Sequence, residues 1–199
     1  MAPDDKILDY FKVIHENCNT IEFTFDKKNS LYIPLFNTSI DHGLSILLLK
    51  KQNLTVSCLA LARPMVESYL RAMWVKYCLH EDKIIEGCST MHFPIKLDFL
   101  LGEIEKKLPE NHLFSGFKSS ITPLLVNIHD YTHTGIQSIV RQYDYNKNLT
   151  NENCFDEVSE LIKLVVLVTS LSYEELIPVM DNSLSHTDIY KSAMELIEL

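Results

Sequence analysis

With 199 residues, 46% of them hydrophobic and only 5 glycines, the chain can bury a substantial core, which excludes disorder except at the ends and suits helices better than a turn-rich β-sandwich or barrel. The formal charge of -9 repels nucleic acid overall, so any RNA or DNA contact needs a local basic patch or an oligomeric groove. Cys18, Cys58, Cys78, Cys88 and Cys154 are odd in number and scattered, without the CxxC pair that closes a zinc site, and read as reduced thiols.

The chain opens MAPDDKILDYF, with two acids where a signal peptide would carry a basic region, and the expected location is the cytoplasm. Ile7, Leu8, Phe11, Val13, Ile14 and Cys18 recur near helical spacing after Asp4 and Asp5, which predicts a first helix ending near Asn19. The next stretch, IEFTFDKKNSLYIPLF, alternates and is rich in β-branched and aromatic residues, so residues 21–35 admit a short hairpin or an irregular connector. A second helix is predicted from about Asn37, with Leu44, Leu47 and Leu48 inside and Lys50 and Lys51 near its end, and Asn53 is expected to cap the third.

The third predicted helix, LTVSCLALARPMVESYLRAMWVKYCL, is apolar nearly all round and belongs at the centre of a bundle. Arg63, Glu67, Arg71 and Lys76 interrupt it at a cost that argues against a membrane span. Pro64 removes a backbone hydrogen bond and crowds the carbonyl of Ala60. A fourth helix is expected over Ile95 to Lys107 and a fifth from Phe114 through Pro123 to His129, with DYTHTG interrupting before Ile136 to Tyr143. Asn151 or Asn153 can cap a long helix over Phe155 to Met180, and Thr187 opens a last one to Leu199. The expectation is an all-α bundle of six to seven helices, one domain over residues 1–199, with well over half of its residues helical.

Two constellations carry chemistry. Arg63, Glu67 and Arg71 step at i, i+4 along the apolar third helix, as an ion-pair ladder that fixes register or as a functional arginine held by Glu67. In HDYTHTGIQSIVR, His129, His133, Gln137 and Arg141 would share one face of a continuous helix, with Asp130 and Tyr131 in the same turn. A histidine that titrates near neutrality and an arginine that grips phosphate suit phosphoryl chemistry without a metal or other cofactor; the plain alternative is a solvated polar stripe. HDYTH also has the HxxxH spacing of a helical zinc pair, which keeps a metal-dependent hydrolase using His129 and His133 as a further alternative, although Asp130 is a methylene shorter than the zincin glutamate. No phosphate-binding glycine loop, dinucleotide fingerprint or GxSxG elbow occurs.

The pairing of LALARPMVESYLRAMWVKY with NIHDYTHTGIQSIVRQY resembles small bacterial proteins of the HEPN-like superfamily, helical bundles of toxin–antitoxin and phage-defence systems. The resemblance implies a metal-independent ribonuclease acting at a dimer interface. The superfamily's arginine, followed by histidine about four to six residues later, has no counterpart after Arg63, Arg71 or Arg141, so the implied pair is Arg63 and His133 from separate helices. His133 would transfer the proton, Arg63 or Arg141 would stabilise the phosphorane, and Glu67 or Asp130 would orient them. Tyr131 would hold base or phosphate, and His129 and Arg71 would complete the substrate contacts. The implied partners are an RNA substrate, a second copy of the chain and a neutralising protein, with no membrane. The competing reading is a non-catalytic interaction module, an antitoxin or regulatory subunit.

Overall fold

The computed structural model describes residues 3–19, 26–84, 93–94, 96–110, 112–133, 135, 139, 142, 146, 148 and 155–180. Helix accounts for 81% of its interpretable part, far above the usual third, and no strand occurs among the described residues. Among the described residues seven α-helices follow in order: α1 (Pro3–Cys18), α2 (Asn29–Lys51), α3 (Thr55–Tyr77), α4 (Leu97–Glu105), α5 (Phe114–Ile121), α6 (Leu125–Thr132) and α7 (Phe155–Leu176). Short 3-10 turns at Glu81–Lys83, Thr122–Leu124 and Ile177–Val179 follow α3, α5 and α7.

The hairpin reading of 21–35 is corrected over its second half, since α2 begins at Asn29 rather than near Asn37. The cause is a reciprocal cap. The Asp26 carboxylate accepts the amides of Lys28 and Asn29, each at 2.7 Å, while Asn29 Oδ1 accepts the Asp26 amide at 3.0 Å. The Ser30 amide already bonds the Asp26 carbonyl at 3.2 Å, so the first turn closes before the apolar run starts. Tyr32, Ile33, Phe36 and Ile40 are then buried at helical spacing. Residues 21–25 lie outside the described residues.

Asn53 ends α2 instead of capping α3. Its φ of 57° is left-handed, and the Leu54 amide reaches back to the Leu49 carbonyl at 2.9 Å, the pattern of a helix C-terminus closed by an asparagine. α3 starts after Leu54 without a side-chain cap. Pro123 stands where the expected fifth helix divides into α5, a 3-10 turn and α6, its missing amide falling in the first turn of the 3-10 segment. The expected caps Asn151 and Asn153 and the C-terminal helix from Thr187 fall outside the described residues.

α3 occupies the middle, packed against α2, α4, α6 and α7. Cys58, Met65, Val66, Tyr69, Leu70, Met73 and Val75 are fully enclosed, while Arg63, Glu67 and Arg71 occupy a partly buried face. A chain of aromatic contacts crosses the core from Phe36 to Tyr69 to Phe117 to Phe114, with ring centroids 6.1, 5.1 and 5.9 Å apart. α2 and α7 come close at Gly43, where a Cβ would lie 2.7 Å from the hydroxyl of Thr169. No described helix is long and apolar enough to cross a membrane.

Candidate functional site

The ladder on α3 is formed in full. Arg63 Nε donates to Glu67 Oε1 at 2.7 Å, and Arg71 Nη2 lies 3.2 Å from Glu67 Oε2. The side chains of Arg63 and Glu67 are 19% and 18% exposed, which shields the pair well enough to make it more than a surface ion pair. Arg71 is also set over the ring of Phe93, 5.8 Å from its centroid.

Pro64 explains what meets the ladder. The helix runs through it, and the Ala60 carbonyl, deprived of an amide donor at residue 64, accepts the Thr132 hydroxyl of α6 at 3.2 Å. That contact lays α6 across α3 beside Arg63. One turn before Thr132, His129 turns its Nδ1 to Arg63 Nη1 in a close hydrogen bond. A guanidinium has donors only, so Nδ1 is the acceptor and the proton of a neutral His129 ring sits on Nε2. The His133 ring is 4.6 Å from the His129 ring, tilted by 56°, and both side chains are open to solvent.

The helix that begins the expected polar face stops at Thr132, with His133 as its C-terminal cap residue. The Gly135 amide bonds the Asp130 carbonyl at 2.8 Å, and the Asp130 carboxyl lies where a Cβ on residue 135 would stand, so a larger residue there would have to displace that side chain. Gln137 and Arg141 lie outside the described residues. Arg63, Glu67, Arg71, His129 and His133 thus line up through successive contacts at one helix crossing, while Asp130 covers the helix end. Tyr131 points the other way and is buried, which removes it as an exposed stacking platform.

Tyr131 instead faces a cavity of about 310 Å³ between α3, α6 and α7. Leu59 and Ala62 of α3, Leu124 just before α6, Ile128 within it, and Leu161 and Leu164 of α7 form its walls. Glu157 and Glu160 complete the lining.

The zinc alternative would rest on His129 and His133, whose rings are neighbours. Among the described residues no group of three or more potential ligands gathers, and the Arg63 guanidinium occupies the Nδ1 side of His129 with positive charge.

A second polar cluster was invisible in the sequence. Glu175, at the end of α7, is buried and accepts from Lys76 Nζ at 2.6 Å and from the Tyr77 hydroxyl at 2.7 Å, with His112 Nε2 at 3.4 Å from its other oxygen. His112 Nδ1 accepts the Phe114 amide, so its Nε2 carries the proton that faces Glu175. Burial and the Glu175 carboxylate push the Tyr77 phenol well above its ordinary range. Lys76 and Glu175 are 99 residues apart, and no local motif marks either.

Fold and site together define an all-helical protein with an arginine–glutamate–arginine ladder and two histidines at one helix crossing. The chain belongs to a family of unknown function, DUF6988, which matches residues 36–171, from within α2 through most of α7. No curated protein and no solved structure matches it.

Proposed function

We propose that this chain is a HEPN-like, metal-independent endoribonuclease of a bacterial toxin or anti-phage defence system. What carries the reading is the meeting of Arg63, anchored by Glu67, with His129 and His133 where α6 crosses α3. Phosphodiester cleavage needs a proton acceptor and fixed positive charge within reach of one phosphate. His133, exposed at the end of α6, takes the proton of the ribose 2′-hydroxyl. The 2′-oxygen then bonds to phosphorus, the bond to the 5′-oxygen breaks, and that oxygen is protonated by water, leaving a cyclic phosphate. Arg63 faces the phosphorane with the donors of its fork that Glu67 and His129 do not use, and His129 adds its Nε2 proton. Glu67 positions Arg63. A second copy of the chain would close a groove over this crossing and supply the enclosure that an acidic monomer lacks, and a neutralising protein would hold it inactive.

The interaction-module reading draws on one observation: Glu67 already pairs with both arginines, as a purely structural register lock would. Purified protein and mixed single-stranded RNA, assayed with a chelator present, separate the two. Cyclic-phosphate ends are expected, with His133→Ala and Arg63→Ala each slowing cleavage by about a hundredfold or more while the helical spectrum is retained. Absence of cleavage, or normal cleavage by both variants, gives the site to the module reading.

A further inference from the structure

The far end of the ladder has no step in the proposed cleavage. Arg71 stands two i, i+4 steps beyond Arg63, which places it about 12 Å further along α3 at about 1.5 Å per residue. Glu67 Oε2 holds its Nη2 at 3.2 Å, and the Phe93 ring lies under the guanidinium, its centroid 5.8 Å from Cζ. That ring is itself half-buried and packs against the apolar core. Arg71 Nε is enclosed, while 32% of the side chain is open to solvent. An arginine on an open helix face samples many rotamers; this one is held at an edge by a carboxylate and supported from below by an aromatic ring.

A planar cation fixed in this way is a surface on which a base can stack, because bases freed from a duplex lie on guanidinium planes as they do on aromatic rings. Charge alone would serve RNA poorly here. The chain's net charge of -9 offers phosphates no long-range attraction, and Glu67 already answers both arginines. Stacking needs neither, since every base has a π-face. Tyr131, the aromatic residue expected to take the base, is buried, so the base must find its surface elsewhere. An extended nucleotide bridges the separation between a phosphate at Arg63 and His133 and a base on Arg71.

We propose that Arg71, backed by Phe93, is the base-stacking platform of this site and takes an unpaired purine of single-stranded RNA next to the phosphate held at Arg63. The inference rests on the ribonuclease reading of the crossing and names the substrate class of that site. A purine is preferred for its larger π-face, and duplex RNA is rejected because its bases are stacked on one another. Arg71 and Phe93 position the strand and touch no reacting atom.

RNA tetramers with 2′-O-methyl groups cannot be cleaved through the 2′-oxygen, so they separate binding from chemistry. Titrated by calorimetry against the full chain, the adenine tetramer should bind about tenfold or more tightly than an abasic one, with uracil between them. Arg71→Lys keeps a cation beside Glu67 but has no plane, and should bring the adenine and abasic tetramers within about twofold of each other. Phe93→Leu keeps the apolar packing, removes the supporting ring and should cut the preference by severalfold. The inference is overturned if adenine and abasic tetramers bind alike, if no tetramer binds at millimolar concentration, or if both variants keep the full preference. Adenine preference without cleavage of unmodified RNA upholds the platform and removes the ribonuclease reading; cleavage without the preference does the reverse.

Discussion

Pro64 leaves the Ala60 carbonyl without its helical donor, and the Thr132 hydroxyl answers it at 3.2 Å while also lying 2.9 Å from the Ile128 carbonyl. Thr132→Val keeps the shape but removes the proton, so a part-buried carbonyl is left unmet at about 1 to 3 kcal/mol. With Pro64→Ala the amide of residue 64 returns to Ala60, and the same threonine change should cost clearly less. A double-mutant cycle by urea denaturation checks this, and equal costs in both backgrounds would sink it. The sequence displayed the proline and the freed carbonyl, but the donor comes from 72 residues away and no spacing rule could select it. The same limit applies to the histidines. Their i, i+4 spacing made them neighbours, yet the crossing of α6 over α3 brings His129 against Arg63.

Element boundaries were legible where apolar periodicity and backbone chemistry agreed. α3 was expected over Leu54 to Leu79 and runs Thr55–Tyr77, since one helix apolar on all sides has few alternatives to the middle of a bundle. α2 was misjudged at its start, because LYIPLF is dense enough in apolar residues to satisfy a strand or a helix, and the decision falls to Asp26. Asp26→Ala should therefore destabilise the protein by about 1 kcal/mol and raise amide exchange in residues 28–32, while α3 keeps its protection. Unchanged exchange there would mean that burial of Tyr32 and Phe36 alone sets the helix start. Asn53 shows the converse error: an asparagine between two helices can cap the second or close the first, and only its φ of 57° decides.

Across the molecule, the polar residues that tie the bundle together are those the chain gives least reason to pick out. Glu174 and Glu175 stand side by side in SYEEL, and only packing makes one the buried hub for Lys76, Tyr77 and His112. Through it, α7 is joined to α3 and to the segment entering α5. Glu175→Ala should cost about 3 kcal/mol, because it leaves a largely buried ammonium group with only the Glu175 backbone carbonyl at 2.8 Å and takes the acceptor from a half-buried phenol. Glu175→Gln should cost less, since the amide oxygen still accepts from Tyr77 while the charge is lost. Adding Lys76→Met to that variant removes the stranded cation, so the double variant should be more stable than the two single losses added together. Guanidinium denaturation of the wild type, the three single variants and the double variant provides the test. If Glu175→Ala costs no more than the roughly 0.5 kcal/mol of an ordinary surface change, the cluster contributes nothing and the join between α3 and α7 rests on apolar packing alone.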